Sequence, residues 1–559
     1  MRKFSIKGVD IFKKWIVTSA LPYANGEMHI GHIRSTYLPA DIFTRFLKLK
    51  GIRAYHVCGT DEHGTPILAR ALREKKSPKE ITDYYHSLIL HALNGALIHF
   101  DIFSRTTISN HEKLTQWFYA EAKKAGYIYK KEVKILYCEV DKIALPDRLV
   151  KGTCPFCGAP DQYGDYCEVC GRTYNAFQLK DPKCSICGAT PVVKYSKHAF
   201  FNLSAFTDKL SKWVKEKLKL TKGAREHVLH WIKDGLRDWD ITRDISWGVP
   251  VPDIPDQVFY VWWDAPIGYI TFTSELFNKI GERWEDIWID GTGKITHFIG
   301  KDIIYHHVLF WPAMLMSVGF TLPDEIRVRG FATLEGKKMS KSRGLYISLE
   351  EFINMWPAEY LRFYWSSSTT ESLNDGDFSL REFEERINKL LIGVLGNFIN
   401  RVLILIRKGK ISRGVIDQNI LSRILNLKKT FLEKVEDNQL DIGIKVILEM
   451  ADIGNKYLSQ NEPWKDLKST KASDTLVTTF AIVYTILPLL APYLPESTIK
   501  LSKMLGLDEY QVGTFLDITP SEEIIADKIT LFREKGFTKP LFQKISKQDM
   551  DNLRKKLGL

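Results

Sequence analysis

The feature that most constrains this 559-residue chain is a short apolar run followed by a histidine pair and then a second apolar run. Trp15 to Ser19 reads as a buried strand, and His29-Ile30-Gly31-His32 opens a helix that continues through Ile42, Phe46 and Leu47. Gly51 ends that helix, and Ala54 to Cys58 gives a second strand leading into Asp61-Glu62-His63-Gly64. Strand, helix and strand, with a polar motif at the first strand's carboxyl end, predict a doubly wound parallel α/β sheet of the Rossmann type. His29 and His32 are three apart and are expected to face the same way. Gly31 between them leaves room for a nucleotide, and a helix N-terminus adds backbone donors for phosphates. Far downstream, Lys338-Met339-Ser340-Lys341-Ser342 lies between Gly336 and Gly344, the make-up of a mobile loop that closes over a polyphosphate. Each motif alone has a plain alternative, a helix start with two histidines or a solvated Lys/Ser loop. Together, in this order, they point to a site for the phosphates of ATP.

A chain of this length exceeds one core and predicts about three or four domains. The formal charge of +12 and pI ≈ 9.0 favour a polyanionic partner. Met1 to Trp15 is charged and lacks the apolar core of a signal peptide, which predicts a cytoplasmic location. The uncharged stretch Thr475 to Pro495 is interrupted by Pro488 and Pro492 and diluted by threonines, so it reads as a buried bundle helix. Six of the eight cysteines form C-x-x-C pairs, Cys154/Cys157, Cys167/Cys170 and Cys184/Cys187, each followed by a glycine. In a cytosolic chain such pairs are zinc ligands before they are disulfides. Cys58 and Cys138 read as small core residues.

From Tyr129 to Trp231 the pattern changes to short segments punctuated by Gly, Pro and the cysteines, an inserted module. The α/β pattern then returns, with strands expected at Val258 to Trp263, Thr296 to Ile299 and Arg327 to Leu334, and a helix from Lys301 to Met316. From Arg381 onward apolar residues recur at helical spacing, predicting a helix bundle, with a basic tail beginning near Phe532. The expected divisions are 1–128 and 233–330 for the two halves of the α/β domain and 129–232 for the insertion. They continue with 331–385 for the lysine loop and its surroundings, 386–530 for the bundle and 531–559 for the tail.

The histidine and lysine motifs resemble the two signatures of class I aminoacyl-tRNA synthetases, and the rest of the chain resembles the methionyl-tRNA synthetase family. The specific stretches are Leu21-Pro22-Tyr23-Ala24-Asn25-Gly26, Gly64-Thr65-Pro66, Trp239-Asp240-Ile241-Thr242-Arg243-Asp244, Trp262 to Tyr269, and Phe298-Ile299-Gly300-Lys301-Asp302. The resemblance implies an ATP site made by His29, Gly31, His32, Lys338, Met339, Ser340, Lys341 and Ser342, with His29, His32, Lys338 and Lys341 catalytic and Mg²⁺ accompanying ATP. It implies a methionine pocket of Leu21, Tyr23, Asp61, Trp262, Ala265, Pro266, Tyr269, Ile303 and His307, in which Asp61 meets the substrate ammonium and aromatic walls suit a thioether. Trp239 and Arg243 lie close by in the same reading.

The resemblance further implies one structural Zn²⁺ on Cys154, Cys157, Cys167 and Cys170, and a second on Cys184 and Cys187 with His198 or Cys138 completing it. Anticodon recognition of tRNA(Met) would fall to Asn397, Arg401 and Trp464 in the bundle. The basic stretch Lys209 to Arg225 would meet the acceptor stem or form a solvated helix. The insertion is too short for the hydrolytic editing domain of the isoleucine, valine and leucine synthetases. Rival readings are another class I synthetase, such as the cysteine enzyme, or an inactive tRNA-binding paralogue. With no run of strands after the bundle, a monomer is expected, unless the oligonucleotide-binding barrel of some relatives is supplied as a separate tRNA-binding polypeptide.

Overall fold

A computed structural model describes residues 14–164, 167, 169–170, 172, 174–339, 344–507, 516, 518–535 and 540–559. At its centre is a six-stranded, wholly parallel sheet in the spatial order Lys219–Leu220, Glu325–Arg329, Lys294–Gly300, Trp15–Ser19, Ala54–Thr60, Ile102–Arg105. Trp15–Ser19 is buried along its whole length, as a strand covered by helices on both faces must be. It pairs with Ala54–Thr60 on one side and Lys294–Gly300 on the other, so the direction of winding reverses there. The carboxyl end of Trp15–Ser19 is therefore the crevice in which such a sheet binds ligands.

The insertion leaves the sheet as a long antiparallel ribbon, Ile128–Cys138 against Val192–Phe201, in register from Ile128↔Phe201 to Tyr137↔Val192. At its far end a three-stranded sheet of Gln162–Tyr163, Val150–Thr153 and Lys180–Cys184 carries the cysteine turns. Beyond the lysine loop the chain is helical. Helices Asn397–Gly409, Gln418–Glu436, Leu440–Asn461 and Thr470–Leu490 pack as a bundle, with Thr470–Leu490 innermost and buried almost all round. Its hydroxyls are satisfied within the helix, Thr475 donating to Lys471 O and Thr485 to Ala481 O. The C-terminal stretch folds back. Tyr360 Oη donates to Gln543 O, Ile545 N donates to Asn388 Oδ1, and Lys556 pairs with Glu351. Phe532 lies inside helix Glu522–Lys535 rather than at the start of a tail.

Three local expectations change. The helix after the histidines begins at His32 and runs as a π-helical turn over Ile33–Tyr37 followed by Leu38–Leu49, so His29 to Gly31 form the preceding turn. Only Val258–Phe259 is a strand, and Val261–Asp264 is a helical turn that brings Trp262 and Asp264 toward the crevice. The strand expected over Arg327 to Leu334 is two, Glu325–Arg329 and Ala332–Leu334. Gly330 separates them where the Asn374 backbone approaches too closely for any side chain, and Arg34 Nη1 donates to Phe331 O (2.9 Å).

Candidate active site at the winding reversal

The histidine turn is held from several directions. Trp365 Nε1 donates to Ile30 O (3.0 Å), Ile30 N donates to Ile347 O (3.2 Å), and His29 forms an antiparallel bridge with Ser348. The two imidazoles do face together, with ring centroids 3.7 Å apart. Gly31 N–H donates to His29 Nδ1 (3.1 Å) and His29 N–H donates to His32 Nδ1 (2.9 Å). Each Nδ1 is thus an acceptor, which places the proton of each neutral ring on Nε2. Burial, and then the adjacent His32, push His29 down to about 2. His32 is exposed at the mouth of the crevice, and desolvation by the surrounding protein lowers it as well. Both rings are therefore hydrogen-bond donors rather than cations in the ligand-free site.

Gly31 has a task that its sequence position did not suggest. A Cβ there would lie 2.8 Å from Ala332 Cβ and 3.0 Å from Met339 Cε, so the missing side chain admits the lysine-loop segment. Met339 is buried against it. Lys338 is exposed on the short strand Lys337–Lys338, which turns back on Ala332–Leu334 through Glu335 and Gly336, both at positive φ. Ser340, Lys341 and Ser342 lie outside the described residues. On either side of them the chain contacts the histidine turn, through Met339 at Gly31 and through Tyr346, whose ring stands edge-on to His29 at 5.4 Å.

The predicted amino-acid pocket gathers at the same crevice. Tyr23 pairs with Asp61 in a parallel bridge, and a Cβ on Gly268 would touch Leu21 Cδ2 at 3.2 Å. Ala265 and Pro266 form the turn between Val261–Asp264 and helix Gly268–Ile280, whose Tyr269 is buried. His307 Nδ1 lies 3.1 Å from Ile303 O, which can only accept, so Nδ1 carries the proton. His307 Nε2 must then accept from Tyr269 Oη–H (2.8 Å). Burial lowers His307 to about 4, keeping the ring neutral. Trp262 stands edge-on to His307 at 5.9 Å. Arg243 lies over the Tyr260 ring (4.1 Å), and its Nη1 donates to Thr242 O.

Sequence reasoning missed the layer behind this pocket. His306 stacks on Trp262 with centroids 3.7 Å apart and planes 13° apart. His297 packs on Tyr269 at 4.7 Å, accepts from Trp311 Nε1 and pairs through Nδ1 with Thr18 Oγ1 (2.5 Å). His297 immediately precedes the Phe298-Ile299-Gly300 stretch, which was the one available signal. A cavity of about 550 Å³ opens beside Tyr23 and Trp262 toward the insertion, with Arg73, Arg148, Lys151 and Arg243 among its lining.

The cysteines form two clusters, each with four ligand atoms mutually within 4.8 Å. In the first, Cys154, Cys157, Cys167 and Cys170 converge, with Sγ···Sγ of 3.5 Å for Cys157–Cys167 and 3.9 Å for Cys154–Cys170. Those are the edges of a tetrahedron with metal–sulfur bonds of about 2.3 Å. The second is Cys138, Asp141, Cys184 and Cys187. Asp141 is the member of this cluster that counting cysteines missed. Its N–H donates to Cys138 Sγ (3.3 Å) as Cys170 N–H does to Cys167 Sγ (3.4 Å), so Cys138-x-x-Asp141 adopts the same turn as a C-x-x-C pair. Cys138, read first as a core residue, belongs to this cluster. His198 does not. Its Nδ1 and Nε2 meet Asp240 and Asp244 at 2.8 and 2.6 Å, and against the lowering effect of burial these bonds hold it up at about 9. An imidazolium donating from both nitrogens has no lone pair for a metal.

In the bundle, Asn397 and Arg401 share a face of helix Asn397–Gly409, and the Arg401 guanidinium lies over the Trp464 ring at 5.3 Å. Asn455 Oδ1 accepts from both Asn397 Nδ2 and Arg401 Nη1, while its Nδ2 donates to Val394 O (3.0 Å). Asn455 was invisible to the sequence reading because it comes from a different helix. In the insertion, Lys209 to Arg225 is not one solvated helix. It spans Thr207–Glu216 and the start of Lys222–Asp234, and Arg225 turns inward to Leu218 O.

Residues 15–403 match the family described as tRNA synthetases class I (M). The chain is 43% identical over 551 residues to a methionine–tRNA ligase of Methanopyrus kandleri, covering 97% of this chain and 81% of that protein. It is 41% identical to a methionine–tRNA ligase of Pyrococcus furiosus, covering 93% and 75%. Its fold is similar to that of Mycobacterium tuberculosis methionyl-tRNA synthetase in complex with methionyl-adenylate, with a TM-score of 0.73, 26% identity and coverage of 90% and 96%. The chain belongs to the methionyl-tRNA synthetases of class I.

Proposed function

We propose that this chain is a methionine–tRNA ligase, which joins L-methionine to ATP as methionyl-adenylate with release of pyrophosphate and then passes methionyl to the 3′-terminal adenosine of tRNA(Met). The observation that carries this reading is the meeting, at one crevice, of the histidine turn, both described flanks of the lysine loop, and an aromatic pocket with a buried carboxyl at Asp61. No protein nucleophile is needed. The methionine carboxylate attacks the α-phosphate in line, and catalysis is positioning and charge stabilisation. His29 and His32 donate from Nε2 to phosphate oxygens, while Lys338 and Lys341 supply positive charge from the loop and Mg²⁺ accompanies ATP. The neutral His307 and Tyr269 offer the thioether a polar but uncharged floor. The assay is methionine-dependent ATP–pyrophosphate exchange run beside cysteine, leucine, isoleucine and valine. Exchange with methionine alone is expected, and exchange with another amino acid alone would overturn the pocket assignment.

Gly31→Ala should lower exchange by about 10²-fold, because a Cβ would displace Ala332 and Met339 by a few tenths of an ångström or more. Its unfolding temperature should stay close to that of the parent. A variant with parental exchange would show that the lysine loop does not depend on this contact.

The two cysteine clusters fit zinc by their donor sets, one of four sulfurs and one of three sulfurs and a carboxylate. Held there, the metal would cross-link turns of the insertion that otherwise rest on the short strands Val150–Thr153, Gln162–Tyr163 and Lys180–Cys184 and on the tip of the long ribbon. Metal analysis is expected to find two zinc ions per chain, and one in Asp141→Ala. An unchanged count in that variant would remove Asp141 from the ligand set. Asn397, Arg401 and Trp464, braced by Asn455, are suited to reading and stacking unpaired anticodon bases.

A further inference from the structure

The amino-acid end of the pocket holds more buried carboxylate than a single ammonium contact requires. Asp61 follows strand Ala54–Thr60, and Asp264 closes the turn Val261–Asp264. The two segments pack together, since a Cβ on Gly64 would lie 3.4 Å from Val261 Cβ. Asp61 is 6% exposed and Asp264 0%. Each keeps its Oδ1 without a hydrogen-bond partner. Asp264 Oδ2 meets His63 Nδ1 at 2.7 Å, and the His63 ring is itself fixed edge-on against Trp247.

The other titratable groups nearby supply no counter-charge. Glu62 is compensated by Arg105 and also accepts from Thr60 and Thr107. Burial pushes Tyr269 and Cys58 up, so both stay protonated, and it pushes His111, on helix Ser109–Lys124, well down, so that ring is neutral. Among the described residues no lysine or arginine pairs with Asp61 or Asp264, and His63 is the single partner of the pair. Two buried carboxylates close enough to repel, with a single imidazole bonded to one of them, cannot both be ionised until a cation arrives.

We propose that the empty pocket keeps one proton on this carboxylate pair, on Asp61, while His63 holds Asp264 as the ionised member, and that the α-ammonium of methionine expels the proton as it binds. The O–H bond of Asp61 breaks, the proton passes to bulk solvent, and the ammonium takes its place as the compensating charge. No other bond changes. Asp264 is then a positioning residue that makes the pocket accept a cationic amino acid in preference to a neutral or anionic look-alike. In line with this arrangement, burial first and then the Asp264 charge push Asp61 well above the usual carboxylate range.

This inference rests on the methionine-pocket reading, and its test separates the two. Methionine is titrated into the full-length protein by calorimetry, in buffers of different ionisation enthalpy, between about pH 5.5 and 8.5. Release of about one proton per methionine is expected at the acid end, declining as pH rises and Asp61 ionises unaided. Methionine affinity should fall about tenfold per pH unit below that point, while 4-(methylthio)butanoate, which lacks the ammonium, should release none. In Asp264→Asn the release curve should move to lower pH. Binding of methionine with no proton exchanged at any pH overturns this inference alone. An unmoved curve in Asp264→Asn overturns the role of Asp264. Absence of methionine binding to the parent protein overturns the pocket reading and the inference with it.

Discussion

Replacing His29 with Ala is expected to slow methionyl-adenylate formation by about 10²–10³-fold, the usual cost of losing one preorganised donor to developing charge. The loss should appear in kcat for pyrophosphate exchange, with little change in methionine affinity or unfolding temperature, because His29 contacts the loop segment and not the aromatic pocket. The pH dependence follows from the protonation state. His29 is pushed down to about 2, so it is already neutral throughout the ordinary histidine range. As pH falls from about 8 to 6, kcat/KM for ATP, which reports the free enzyme, should therefore show no inflection from this ring near the model-peptide histidine value of about 6.5. A kcat/KM that titrates there in the parent and not in His29→Ala would show that the ring of the free enzyme acts as a cation, contrary to the geometry of its Nδ1.

The second large effect is on stability. Arg362→Ala is expected to destabilise the fold by about 3–5 kcal/mol, read as a lowered midpoint in denaturant or a lowered unfolding temperature. Arg362 is fully buried, and its guanidinium donates to Asp41 Oδ2 (2.7 Å), Pro492 O (2.8 Å), Tyr493 O (2.8 Å) and Leu97 O (3.0 Å). It thereby ties the helix after the histidine turn to the end of the innermost bundle helix. Removing it leaves buried carbonyls unpaired and Asp41 dependent on Arg45. Burial opposes ionisation of Asp41, but Arg45 and then Arg362 hold it below the usual carboxylate range. That stabilisation is complete above the ordinary carboxylate pKa and is lost as pH falls through the depressed one. The gap between parent and variant should accordingly narrow in acid. A variant as stable as the parent would mean that the bundle and the sheet are held by other contacts.

What was legible in the sequence depended on whether its signal was local. The first strand was placed residue for residue at Trp15–Ser19, because a strand covered on both faces must be apolar without interruption. The first cysteine cluster was complete because all four of its members lie on two adjacent C-x-x-C turns. The pocket residues were nameable only through family resemblance, and the structure adds why they act together, through the Ile303–His307–Tyr269 chain of hydrogen bonds. Where the reading went astray, the deciding contact was distant in sequence. His198 looked like a metal ligand until Asp240 and Asp244 occupied both of its nitrogens. The close approach of Met339 and Ala332 to Gly31 was likewise out of reach of any local pattern.

The sequence by itself determined the class of fold, the histidine and lysine motifs and the cysteine turns, because period, turn residues and residue spacing are short-range and survive without a partner. Only the tertiary structure decided Asp141 as a member of the second cysteine cluster, Asn455 as the brace of Asn397 and Arg401, Arg362 as the tie between sheet and bundle, and Asp264 as the neighbour of Asp61. Each of those roles depends on what a buried polar group finds opposite it once the chain has closed. That partner comes from another segment, at a position no local pattern specifies.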